Sequence, residues 1–204
     1  LAVTDAAGRV RGIAGLREAI ASWLGRRYPP LAGRIDAETQ VLPLNGSREG
    51  LFSAIFPLLA RKVSVTRPAV LIPNPFYQAY AAAAAASGAE PIFLECDAAT
   101  QYLPALDDID EALLRRTVAL YLCPPSNPQG AVADRSYLAA AIALARRFDF
   151  MLFADECYSE IYFEESHPPL GALQAAQQCG RAGYPRLVVF SSLSKRSNAP
   201  GMRS

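Results

Sequence analysis

Six short runs of apolar or β-branched residues recur along the chain, at positions 41–44, 69–73, 91–94, 118–123, 150–154 and 187–190. Between most of them lie helix-forming stretches, near 48–61, 78–87, 134–148 and 172–181. Strand-length runs that are apolar on both faces belong in the middle of a protein, where helices cover both sides. Their alternation with helices requires right-handed crossovers and hence a mostly parallel sheet. The expected fold class is α/β, a mostly parallel sheet with helices on both faces. The alanine run 81–86 reads as a small-faced helix packed close to that sheet. Ahead of the first run, Ile13, Leu16, Ile20, Trp23 and Leu24 repeat at helical spacing, and the pattern dissolves at Tyr28-Pro29-Pro30. The expected organisation is an N-terminal segment with a helix (1–30) and a sheet domain (31–204), with no internal repeat or long linker. A start at Leu1 and a stop at Ser204 within an apparently structured segment read as a fragment of something longer.

Composition narrows the function. Half the chain (51%) is hydrophobic and 19% is charged, enough to build a core. Twenty Lys and Arg against 19 Asp and Glu leave a net charge of +1, which argues against a nucleic-acid-binding face. The longest apolar runs fall far short of the roughly 18 residues of a membrane span, and no signal peptide is present, so a soluble, cytoplasmic protein is expected. Cys96, Cys123, Cys157 and Cys179 are scattered, without a CxxC pair and with one histidine, His167. That pattern points to no metal site and to four buried or half-buried free thiols. His167, in a Pro-flanked loop, reads as a surface residue. Of the twenty basic residues only Lys62 and Lys195 are lysines. Arginine stays protonated, so a chain that uses it almost everywhere keeps lysine where a neutral amine is needed. Lys62, beside Arg61, reads as a solvated charge.

In parallel sheets the ligand sites lie beyond the carboxyl ends of the strands. The segments found there are Asn45-Gly46-Ser47-Arg48, Asn74-Pro75-Phe76-Tyr77, 124–130, Asp155-Glu156-Cys157-Tyr158 and 191–195. Gly46-Ser47-Arg48 opens a helix and suits an anion, or is a plain N-cap. The hydroxyls of Ser191, Ser192 and Ser194 with Lys195 and the later Arg203 suit a phosphate beside an amine, or form a serine-rich loop. Asp155 emerges from a buried strand and needs a charged or hydrogen-bonded partner, which an arginine could equally provide. Asn127 and Tyr158 are polar groups close by, or turn residues only. Taken together these parts describe one ligand, with a phosphate, an aldehyde for a lysine, a protonated ring nitrogen for a carboxylate and a flat ring for an aromatic side chain. Pyridoxal 5′-phosphate has all four.

The stretches LPLNGSREGLF, IPNPFYQAY, FADECYSEIYFEE and FSSLSKRSNAPGMRS carry a family resemblance. With its SxSK followed by PGxR, the chain resembles class I aminotransferases of fold type I from about Gly12 to Ser204. The nearest likeness is to the N-succinyldiaminopimelate aminotransferases of bacterial lysine biosynthesis. The resemblance implies that Lys195 forms the Schiff base and moves the proton between substrate and cofactor. It implies that Asp155 pairs with the ring nitrogen, Tyr77 stacks on the ring, and Asn127 and Tyr158 bond its phenolic oxygen. Ser47, Arg48, Ser192, Ser194 and Arg203 are implied to hold the phosphate. Amino-acid and 2-oxo-acid substrates, N-succinyl-LL-2,6-diaminopimelate and 2-oxoglutarate among them, and a homodimer follow from the same likeness.

Three departures from the family pattern stand out. Ala7-Gly8 occupies the place of a Tyr-Pro whose tyrosine reaches the neighbouring subunit's phosphate. Gln129 replaces the threonine of the usual Asn-Pro-Thr-Gly turn. The chain also ends before an antiparallel strand and a smaller C-terminal domain that carries the arginine for the substrate carboxylate. The large domain is thus expected to be incomplete, and inactive alone. The competing readings are another class I aminotransferase with an aspartate-type or other dicarboxylic substrate, a non-catalytic sensor domain of a transcription regulator, and an inactive relic.

Overall fold

A computed structural model of the chain describes residues 12–61, 66–180 and 183–200. Five strands form one sheet: β1 (Ala69–Asn74), β2 (Glu90–Glu95), β3 (Thr117–Leu122), β4 (Met151–Asp155) and β5 (Leu187–Phe190), in the order β2-β1-β3-β4-β5. Every pairing is parallel, as expected. The helices are α1 (Gly12–Arg27), α2 (Ser47–Ser53), α3 (Phe56–Arg61), α4 (Gln78–Ser87), α5 (Glu111–Arg116), α6 (Arg135–Arg147), α7 (Ala172–Gln178) and α8 (Leu193–Arg196).

The period-two alternation of the strands sorts their side chains into two cores. Leu71, Leu120, Leu122, Leu152 and Ala154 pack on one face with Leu138 and Ile142 of α6 and Ala172 and Ala175 of α7. Val70, Ile72, Tyr121 and Phe153 pack on the other with Leu51 of α2 and Tyr80, Ala83 and Ala84 of α4. Helices therefore cover both faces. The alanine run in α4 lets that helix approach the strands closely, and Ala83 and Ala84 are fully buried.

Three expectations need correction. Residues 41–44 form no strand. Pro43 cannot donate to a ladder, and Leu42 and Leu44 are exposed; the segment is irregular and lines the site cleft. The helix expected over 48–61 is two helices, because Pro57 has no N–H to return to Ser53 and instead sits in the first turn of α3. The stretch 172–181 stops being helical after Gln178, and Gly180 follows at φ 70°. The short helices α5 and α8 were not foreseen. Asp110 caps α5, its carboxylate accepting from Ala112 N at 2.6 Å.

Because the strands are parallel, their carboxyl ends share one edge, with Asp155 beside Phe190 and Leu122 beside Ala154. The strand order reverses between β1 and β3, which is where a crevice opens in such sheets. Two contacts steady the segment that leaves β4. Arg27, at the end of α1, pairs with Glu160 at 2.7 Å and donates to the carbonyls of Ser159 and Pro169. Glu156 is buried, and its carboxylate accepts from Ala172 N at 2.6 Å at the start of α7.

Burial pushes the Glu156 carboxyl up from 4.5 to about 7, against the opposing pull of the Ala172 N–H and the Arg27 charge. The folded chain therefore binds this proton more tightly than the unfolded chain does. Its stabilising contribution is complete below pH 4.5 and is lost as the pH rises through about 7. The difference is worth about 3 kcal/mol. Urea unfolding at pH 5 and pH 8 should show Glu156→Gln losing much less stability across this interval than the unsubstituted chain. Parallel losses in both would contradict the assignment.

Candidate active site

The carboxyl edge of the sheet opens into a cleft of about 1660 Å³. Its lining includes Ser47, Tyr77, Asn127, Asp155, Tyr158 and Lys195, together with Arg48, Ser192 and Ser194. Nine of the ten residues expected at the site thus meet at one cleft. The tenth, Arg203, lies outside the described residues, as do Lys62 and Ala7-Gly8.

Asp155 ends β4, one position earlier than the sequence pattern suggested, and its side chain falls on the same sheet face as Phe153. It is 4% exposed. Oδ2 accepts a hydrogen bond from the Tyr80 hydroxyl at 2.7 Å, while Oδ1 is buried and has no hydrogen-bond partner. Burial pushes the carboxyl above its ordinary range, and donation from Tyr80 and then Cys157 pulls it back. Among the described residues no arginine pairs with it, so none of them forms the structural ion pair that the sequence left open.

Tyr80 comes from α4, one turn beyond Tyr77, which begins that helix as its N-cap residue. The Tyr80 ring stacks on Tyr121 with centroids 4.3 Å apart and planes within 10°. Tyr121 leans on Phe153 at 5.2 Å, and Phe153 meets Phe190 edge-on at 5.5 Å. A row of aromatic rings across β3, β4 and β5 thus lies beneath the carboxylate. The Tyr121 hydroxyl donates to Leu51 O at 2.7 Å and ties the row to α2. Tyr80 does not stand out in the sequence, although its i, i+3 spacing from Tyr77 sets both on one helix face.

The other groups are held by their local turns. Gly46 precedes α2 at φ 119°, a conformation natural to glycine, and no side chain caps this helix. Ser47 is therefore the first helical residue rather than the cap. Arg48 Nε donates to the Tyr77 hydroxyl at 2.5 Å. In the turn after β3, Gly130 N donates to Ser126 O at 2.8 Å, and Ala131 N to Ser126 Oγ at 2.9 Å. Gln129 lies in this turn and lines the cleft. Asn127 Nδ2 donates to the Tyr158 hydroxyl at 2.8 Å across the cleft floor. Burial raises the Tyr158 phenol. After β5, Ser192 caps α8 by accepting from Ser194 N at 3.1 Å and donates to Ser194 Oγ at 2.9 Å. Lys195 is exposed in this turn, and the Arg196 guanidinium lies 3.7 Å from the Trp23 ring centroid, which anchors α8 to α1.

The cysteines are less scattered in space than in sequence. Cys123, beyond β3, and Cys157 flank Asp155, with the two sulfur atoms and a carboxylate oxygen within 4.8 Å of one another. Cys96 is buried, as expected, but Cys179 is exposed because it falls at the free end of α7. His167 is exposed and lies 3.1 Å from Glu164.

Comparisons with known proteins place the chain in a family. The family model for aminotransferase class I and II matches residues 5–204. An LL-diaminopimelate aminotransferase of Oleidesulfovibrio alaskensis is 32% identical over 194 residues, which are 94% of this chain and 46% of that protein. The crystal structure of an aminotransferase from Neisseria meningitidis is 43% identical with a TM-score of 0.86, over 94% of this chain and 47% of that one. N-succinyldiaminopimelate aminotransferase from Mycobacterium tuberculosis is 28% identical with a TM-score of 0.74, over 93% and 46% of the two chains. The chain thus spans about half the length of the relatives it matches. No described helix is long and apolar enough to cross a membrane. In sequence and in fold, the chain belongs to the class I and II aminotransferases.

Proposed function

We propose that this chain supplies the cofactor site of a pyridoxal-phosphate-dependent aminotransferase that moves an amino group from N-succinyl-LL-2,6-diaminopimelate to 2-oxoglutarate. The observation that carries the reading is the buried Oδ1 of Asp155, which has no partner of its own although the residue lines a large cleft. An unpaired carboxylate oxygen away from water is costly, and a cationic N–H would relieve it. Members of the family use pyridoxal 5′-phosphate, and the donor set fits that group. Its ring nitrogen matches Asp155, its aldehyde matches Lys195, and its phosphate matches the hydroxyls and guanidinium at the starts of α2 and α8.

In this reading Lys195 would hold the aldehyde end of the cofactor through its amine, and its amine would move the proton at the substrate α-carbon. Asp155 Oδ1 accepts from the ring N–H and holds it protonated. Tyr77 presents its ring face, and the paired Asn127 and Tyr158 side chains donate to the phenolic oxygen. Ser47, Arg48, Ser192 and Ser194 hold the phosphate, with Arg203 in the same role by family pattern. Bound pyridoxal phosphate supplies the electron sink for the pair left on the substrate α-carbon. Catalytic work falls to Lys195, Asp155 and Tyr158. The same reading takes the protein to be a cytoplasmic homodimer whose sheet domain occupies residues 31–204.

The likeness to the Mycobacterium tuberculosis enzyme supports the N-succinylated donor. A second donor, unmodified LL-diaminopimelate, is favoured by the names of the sequence relatives. Glutamate formation from 2-oxoglutarate by the full-length protein, with the C-terminal domain in place, separates the possibilities. The N-succinylated donor should react faster than LL-diaminopimelate and aspartate, and a preference for either of those would replace the substrate assigned here. Cofactor binding without turnover of any donor would favour the sensor or relic reading. Asp155→Asn should raise the Kd for pyridoxal phosphate about tenfold or more, by loss of a charge-assisted bond. An unchanged Kd would remove Asp155 from the site.

A further inference from the structure

We infer that Tyr80 is a positioning residue that, by donating its hydroxyl to Asp155 Oδ2, turns Oδ1 toward the ring nitrogen of the cofactor and keeps the carboxylate charged to receive it. The inference rests on the proposed cofactor site and assigns a role to a residue that is not among those proposed to hold the cofactor.

The geometry leaves Tyr80 little freedom. It is 1% exposed, and its ring is clamped between Tyr121, stacked at 4.3 Å, and Tyr77, edge-on at 5.7 Å. A phenol fixed on both sides delivers its proton to one point, and that point is Oδ2 at 2.7 Å. Rotation of the Asp155 carboxylate would break this bond, so the plane of the group is set and the second oxygen is left free. A buried carboxylate without donors takes up a proton and becomes neutral, which would cost it the attraction for a cationic N–H. The hydroxyl of Tyr80 opposes that outcome most strongly, with Cys157 adding a smaller pull in the same direction. Its own proton is held firmly, since burial and then the Asp155 charge both raise the phenol. Tyr80 therefore stays a donor and does not exchange roles with the carboxylate.

The test compares two ligands in the unsubstituted chain and in Tyr80→Phe. One is pyridoxal phosphate, and the other is 1-deazapyridoxal 5′-phosphate, in which a C–H replaces the ring nitrogen. A residue that only packs would change both affinities alike. A residue that prepares Asp155 for the nitrogen changes only the first. The unsubstituted chain should prefer pyridoxal phosphate, and Tyr80→Phe should shrink that preference about tenfold while leaving the Kd of the deaza ligand nearly unchanged. Tyr121→Phe, which removes only the bond to Leu51, should leave the preference intact. An equal preference in Tyr80→Phe and the unsubstituted chain would overturn the role of Tyr80 while sparing the site. Absence of any preference in the unsubstituted chain would overturn Asp155 as the nitrogen's partner, and the inference with it. Should Tyr80→Phe fail to fold, 3-fluorotyrosine placed at position 80 alone keeps the ring and strengthens the donor. The preference must then rise, and an unchanged preference would contradict the assignment.

Discussion

One carboxylate organises this molecule. Asp155 sits at the end of a central strand, enclosed by aromatic rings, with one oxygen bonded to a phenol and the other to nothing. Burying such a group lowers stability unless something answers it. Among the described residues no arginine or lysine does so within the fold. In the proposed reading the answer comes from the cleft, and the other groups of the site are arranged around that need.

The sheet makes the arrangement possible. In a parallel sheet all the carboxyl ends lie along one edge, so residues far apart in sequence reach one cleft without long loops. Tyr77, Asn127, Asp155 and Lys195 come from segments following or ending four different strands. The two cores on either side hold those strands in register. The aromatic row from Tyr80 to Phe190 belongs to one of these cores and also forms the bed on which Asp155 rests. Core packing and site geometry are the same contacts viewed from opposite ends.

Much of this was legible in the sequence. Doubly apolar runs alternating with helices led to the parallel sheet, and reading the residues just beyond each run led to the cleft. The failures have local causes. Residues 41–44 carry strand-like side chains, yet Pro43 deprives them of a ladder, and composition alone does not register that loss. Tyr80 was hidden because its partner is 75 positions away in sequence. Cys123 and Cys157 appeared unrelated for the same reason, since only the β3–β4 register brings their segments together. Local pattern reports which residues occupy an element, whereas cross-sheet pairing decides which of them meet.

The central claim is that Lys195 and Asp155 face a single bound cofactor, and chemical trapping tests it most directly. Pyridoxal phosphate added to the purified chain, followed by borohydride reduction and peptide mass mapping, should give an absorbance band before reduction and a covalent adduct on Lys195 after it. Lys195→Ala should carry no adduct. An adduct on Lys62, or none at all on the unsubstituted chain, would contradict the account.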